Sequence, residues 1–211
     1  CLGINYADHA VESARFHEQS FLLSREKATY FSKRAYETTG SGDPIPSYEG
    51  LVTELDYEVE LGVVIGRDCR KVSQSEAPNY IFGYTIVNDV SARNLQTEHN
   101  QWYFGKSLDG FTPMGPCIVT ADEIAFPPAL AISSTVNGEV RQNSNTDHLL
   151  HSVAEIISEL SQGMTLRAGT IIATGTPAGV GMGFTPPKFL KKGDVVTCEI
   201  EGIGKLTNTV E

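Results

Sequence analysis

The sequence predicts an α+β, β-rich fold. Short runs rich in Val, Ile, Tyr and Thr recur between Gly and Pro punctuation along the chain. Only two segments carry helical spacing. With 211 residues, 40% of them apolar, and no compositional break, the chain can bury one sizeable core. One domain over residues 1–211 is expected, with a preceding piece missing because the chain opens on Cys1.

Taken in order, residues Asp8–Phe16 read as a helix. Residues 20–47 are polar, carry Thr38-Thr39-Gly40-Ser41-Gly42 and keep no period, so much of this stretch is expected to be a mobile loop of the kind that forms a lid. Strands follow over 60–65, 80–87, 116–119, 132–136, 170–173 and 195–200. The second helix covers 148–161, where Leu149, Val153, Ile156, Ile157 and Leu160 recur at helical spacing and pack on the sheet. His148 and His151 on it are read as structural, since no carboxylate motif accompanies them. In the tail, Leu190-Lys191-Lys192-Gly193-Asp194 turns into the last predicted strand, and Gly202-Ile203-Gly204 closes a hairpin.

Composition narrows the function. A formal net charge of −10 opposes binding to nucleic acid or anionic lipid, and no apolar run approaches the roughly 20 residues that cross a bilayer. Four cysteines, Cys1, Cys69, Cys117 and Cys198, lie far apart without a C-x-x-C pair, which predicts free thiols and a cytoplasmic setting. The partner expected is a small molecule. If it is an acid, the acidic chain must supply local positive charge through a metal ion or placed Lys and Arg.

The run Leu55-Asp56-Tyr57-Glu58-Val59-Glu60-Leu61-Gly62-Val63-Val64-Ile65 puts Tyr57, Val59, Leu61, Val63 and Ile65 on one strand face and Glu58 with Glu60 on the other. Two neighbouring like charges require either a solvated face or a bound cation, and both stay open on this pattern. Asp89 ends the strand that follows. Three oxygen donors with no His or Cys suit Mg²⁺, with Mn²⁺ or Ca²⁺ as substitutes, better than Zn²⁺.

Other residues admit a plain and a functional reading. His9 and Glu12, three apart on the predicted helix, form either a capping or surface pair or a dyad in which the carboxylate orients the imidazole. Lys106, between Gly105 and Ser107, is either a surface lysine or a fixed ammonium for a developing oxyanion. Residues 174–181 form a tight turn or an anion site built from exposed backbone N–H groups. They are no dinucleotide fingerprint, since Phe184-Thr185-Pro186-Pro187 cannot open the required helix.

In sequence order, Asn5-Tyr6-Ala7-Asp8-His9-Ala10-Val11-Glu12, Glu58-Val59-Glu60-Leu61, Asn88-Asp89-Val90-Ser91-Ala92-Arg93, Gly105-Lys106-Ser107-Leu108-Asp109-Gly110-Phe111, Val136-Asn137-Gly138-Glu139 and Thr174-Gly175-Thr176-Pro177-Ala178-Gly179-Val180-Gly181 resemble the successive blocks of the fumarylacetoacetate hydrolase family. The resemblance implies a mixed β-sandwich roll of that family's C-terminal-domain type with a few packed helices, a homodimer, and one divalent metal on Glu58, Glu60 and Asp89. It further implies His9, Glu12 and Lys106 as catalytic groups, and Lys33, Arg93, Gln96, Gly175 and Thr176 as substrate contacts. Two departures stand out: Ser32-Lys33-Arg34, where the family often has an apolar residue before the lid lysine and Pro after it, and Gly169-Thr170, where many members have Gly-Asp.

The activity so implied is Mg²⁺-dependent hydrolysis of a C–C bond in a small 2-oxo or 1,3-dicarbonyl acid of the acylpyruvate or fumarylacetoacetate type. The alternative is oxaloacetate decarboxylation or tautomerisation, or 2-hydroxyhepta-2,4-diene-1,7-dioate isomerisation. A rival outside the enzymes is a binding or scaffold protein whose acidic cluster is only structural.

Overall fold

The computed structural model describes residues 1–16, 27–36 and 38–211. Along the chain these form β1 (Leu2–Gly3), α1 (Ala7–Phe16), β2 (Thr29–Tyr30), β3 (Pro44–Ile45), β4 (Leu55–Asp56), β5 (Val59–Ile65), β6 (Ile81–Asn88), β7 (Ser91–Ala92), α2 (Arg93–Glu98), α3 (Tyr103–Lys106) and β8 (Met114–Thr120). They continue with β9 (Ala131–Val136), β10 (Glu139–Asn145), α4 (Val153–Gly163), β11 (Ile171–Ala173), β12 (Val195–Ile200) and β13 (Gly204–Val210).

Two sheets make the body. One has four strands in the order β11-β5-β6-β8, the other five in the order β10-β9-β12-β13-β3. Their facing sides share one core, in which Val59, Leu61, Val63, Ile65 and Ile86 of the first meet Ile132, Val136, Val196, Cys198 and Ile200 of the second. The architecture is the predicted β-rich α+β roll, and each of the six predicted strands forms.

The period of two along β5 places Tyr57, Val59, Leu61, Val63 and Ile65 in that core. Its other face is no solvated surface: every residue of β5 is buried, Glu60 being 1% exposed, and Glu58 immediately before the strand is 4% exposed. The reading of these two glutamates as a water-covered strand face is thereby excluded for the described residues. β5 pairs antiparallel with β6 so that Val59 stands opposite Asn88, and the Asp89 N–H donates to the Glu58 carbonyl at 2.9 Å. Pairing register alone therefore carries the third carboxylate alongside the first two.

Two expectations need correction. The second helix begins at Val153, not His148, because Ser152 and Glu155 form a capping box there that satisfies both terminal N–H groups; residues Thr146–His148 form a separate 3₁₀ turn. His148 is exposed beside Asp147. The loop expected over 20–47 falls partly outside the described residues, at 20–26 and 37, whereas its described parts contain β2 and β3, which pair with β1 and β13. The four cysteines are free, as expected, and no helix among the described residues is long and apolar enough to cross a membrane.

Candidate metal centre and the cavity above it

Glu58, Glu60 and Asp89 each offer a carboxylate oxygen within 4.8 Å of the others, and Glu58 and Glu60 line a cavity of about 290 Å³. Asp89 itself is 0% exposed. Burying such a cluster is costly unless cations answer it. Lys106 Nζ bridges Glu58 Oε2 at 2.7 Å and Asp89 Oδ2 at 2.9 Å, and Arg93 reaches Glu58 Oε1 at 2.7 Å and Asp56 Oδ2 at 2.9 Å. Lys33 Nζ lies 2.6 Å from Asp89 Oδ1 and donates to the Val90 carbonyl at 2.9 Å. Counting Asp56, four buried carboxylates face three cations.

The imbalance settles on Glu60. Burial pushes its carboxyl well above the usual range, and the Asp89 and Glu58 charges push it further, with Lys106 and the Gly175 N–H offsetting only part. Burial also raises Glu58, yet Lys106 and Arg93 outweigh it and hold that carboxyl low. Asp89 is likewise lowered by Lys106 and Lys33 against its burial. One Glu60 oxygen accepts from Gly175 N at 2.8 Å; the other, Oε1, is buried without a hydrogen-bond partner. An orphaned carboxylate oxygen in a cluster one positive charge short fits a hard divalent cation, and the all-oxygen donor set agrees.

The cavity wall draws on the N-terminal segment, the α2–α3 region and the Gly-rich turn after β11. His9, on α1, is buried and lines the cavity with Gln96, Trp102, Thr176 and Met182. Its Nδ1 stands 3.6 Å from Glu12 Oε2, too long for a hydrogen bond but close enough for charge to matter, and has no other partner. Both Glu12 oxygens accept from the Gly179 N–H, at 2.9 and 3.0 Å.

The predicted substrate contacts divide. Gln96 and Arg93 line the cavity, and Arg93 donates to Gln96 Oε1 at 3.1 Å, which fixes the oxygen end of that amide against the guanidinium. Lys33 lies behind the cluster, outside the cavity lining, its ammonium buried against Asp89; burial pulls its pKa down and the Asp89 charge recovers part. The Gly175 N–H and the Thr176 hydroxyl are already engaged, the first by Glu60, the second by donating to the Val59 carbonyl at 2.9 Å while accepting from Gln142 Nε2 at 2.7 Å.

Three residues escaped the sequence reading. Asp56 accepts from Gly181 N at 2.6 Å, Met182 N at 3.1 Å and Arg93 Nε, tying the Gly-rich turn to the guanidinium. The signal was present, since Asp56 shares the strand face of Glu58 and Glu60 at a spacing of two. Asn5 bonds the Thr174 and His151 carbonyls and the His151 N–H, and Gln142 fills its donors and acceptors within the core. Neither carried a local pattern that could have found it.

Comparison with known proteins identifies the family and the fold. The profile of the fumarylacetoacetate (FAA) hydrolase C-terminal family matches residues 1–211. Oxaloacetate tautomerase YisK of Bacillus subtilis is 47% identical over 210 residues, which are 100% of this chain and 68% of that protein. The solved fumarylacetoacetate hydrolase of Exiguobacterium antarcticum superposes with a TM-score of 0.90 at 46% identity, covering 100% of this chain and 73% of that one. Fumarylpyruvate hydrolase of Pseudomonas aeruginosa, solved in complex with Mn²⁺ and pyruvate, gives a TM-score of 0.85 at 32% identity over 100% of this chain and 87% of that one.

Proposed function

The chain belongs to the fumarylacetoacetate hydrolase family, and on that premise we propose that it is a divalent-metal-dependent enzyme catalysing enol–keto tautomerisation of a compact 2-oxo diacid of the oxaloacetate type. The observation that carries this is that His9, whose Nδ1 lies 3.6 Å from Glu12, lines the same cavity as Glu58 and Glu60 of the three-carboxylate cluster. Tautomerisation needs one base to lift a proton from a carbon beside a carbonyl and return it to oxygen, and a cavity of about 290 Å³, at the lower end for small-molecule sites, suits a short acid.

Mg²⁺ or Mn²⁺ on Glu58, Glu60 and Asp89 would supply a Lewis acid that stabilises negative charge on the substrate's 2-oxo oxygen. The protein's own groups do the rest. His9 takes the proton, and the Glu12 carboxylate steadies the imidazolium that results. Lys106, fixed between Glu58 and Asp89, adds positive potential at the cavity floor. Gln96, oriented by Arg93, donates to a substrate carboxylate. Lys33, Gly175 and Thr176 act by supporting the cluster, since their polar groups are already committed to it.

A second reading, C–C hydrolysis, is favoured by the same pair, which could activate water, and by the fumarylpyruvate hydrolase relative. The deciding assay follows enol absorbance and pyruvate release together on oxaloacetate, acetylpyruvate and fumarylpyruvate with Mg²⁺ or Mn²⁺ present, using wild type, Glu58→Ala and His9→Ala. Enol–keto exchange on oxaloacetate without pyruvate, lost in both variants, is the expected result. Pyruvate with a second acid from the acyl substrates would replace it with the hydrolase, and no metal-dependent turnover on any of the three would overturn both.

A further inference from the structure

Glu12 sits on a helix of ten residues, yet its carboxylate is held by a different part of the chain. Both its oxygens accept from Gly179 N, and the Arg15 guanidinium, one helical turn on, donates to the Gly183 carbonyl at 2.6 Å. The carboxylate presses on Gly183 so closely that a methyl group built there would fall on Glu12 Oε1 and lie 2.5 Å from Cδ. Gly179 must be glycine for its own reasons: its φ is +103°, and a side chain would strike the Arg141 carbonyl. Gly183 has no such need. It ends the 3₁₀ turn Gly181–Gly183 without a positive φ, so its backbone would accept alanine, and the three atoms nearest the added methyl all belong to the movable end of Glu12.

We propose that Gly183 is a positioning residue for the His9–Glu12 pair: the missing side chain at 183 and the N–H of Gly179 together form the seat that holds the Glu12 carboxylate toward His9. The proposal rests on the proposed role of that pair in proton transfer. It follows that an alanine at 183 leaves the fold intact and pushes the carboxylate off its seat.

The test is a double-mutant cycle of Gly183→Ala and Glu12→Ala, read by kinetics, Mn²⁺ calorimetry and the NMR signal of the Gly179 amide. Gly183→Ala should lower kcat by about 10-fold with KM changed by less than about 3-fold. Mn²⁺ affinity should stay as in wild type. In the Glu12→Ala background the same change should have no further effect, because its only route is removed. The Gly179 amide proton, hydrogen-bonded to a carboxylate in wild type, should move upfield in both Gly183→Ala and Glu12→Ala. Additive kinetic losses, or an unmoved Gly179 amide in Gly183→Ala, would overturn the proposal. If wild type turns over none of the substrates, the assigned reaction fails, while the amide signal still decides whether the seat exists.

Discussion

The floor and the wall of the cavity are built on opposite principles. At the floor, Glu58, Glu60 and Asp89 descend from adjacent strands in the middle of a sheet, and three cations pin Glu58 and Asp89 while the Gly175 N–H holds Glu60. At the wall, His9 rides on one short helix, and its Nδ1 has a carboxylate at 3.6 Å and no hydrogen bond. A cluster that must bind a cation gains from fixed, mutually braced carboxylates, since any slack loses affinity. A base that must accept and release a proton gains from an imidazole nitrogen not already committed to a strong acceptor.

That contrast breaks most directly at Glu58. Glu58→Ala strips one partner each from the buried Arg93 and Lys106, so a loss of about 3–5 kcal/mol in denaturant unfolding is expected, together with loss of Mn²⁺ binding in calorimetry. A loss below about 1 kcal/mol would mean that water or other groups already satisfy those cations. His9→Ala should do the reverse, lowering kcat by about 10²–10⁴-fold with the unfolding midpoint and Mn²⁺ affinity near wild type. Weakened Mn²⁺ binding in that variant would show that wall and floor are one unit.

The next effect is one of pH. Glu60 in the metal-free protein has its pKa raised, so the folded state binds this proton more tightly than the unfolded chain does. Its contribution to stability is therefore full below the ordinary carboxylate pKa and falls as pH rises from there toward the raised value. A cation needs the carboxylate form, so Mn²⁺ affinity should climb over the same range, and calorimetry in buffers of different ionisation enthalpy should detect proton release on binding. Binding without proton release would place the cation elsewhere. The smallest effect expected is at Ser152→Ala, remote from both regions, where loss of the capping box should cost about 1 kcal/mol and leave kcat unchanged.

What could be read from the sequence was what lies in local pattern. The alternation from Tyr57 to Ile65 gave the strand, its core face and two of the three clustered carboxylates, because a period of two survives any tertiary context. β10 went unread since Glu139, Gln142, Asn143 and Asn145 have little strand preference; the ladder with β9 and the buried bonds of Gln142 hold it there. The helix start at Val153 was legible in Ser152-x-x-Glu155 but was masked by Leu149, which repeats at helical spacing outside the helix. Lys33 illustrates the remaining limit. A lysine in a polar stretch gives no local sign that its ammonium is buried against Asp89, 56 residues away, because that contact depends on how the chain closes over the strands.

The order of these parts along the chain has a consequence for biosynthesis. The three clustered carboxylates lie within residues 58–89 and Lys106 follows soon after, whereas the turn that seats Glu12 begins at 174 and the strands β12 and β13 come later still. During synthesis the cation-holding hairpin leaves the ribosome many residues before the segment that orients the base. Glu60 and Glu12 thus wait for Gly175 and Gly179, whose N–H groups hold them, so the floor and the wall both depend on a segment made late.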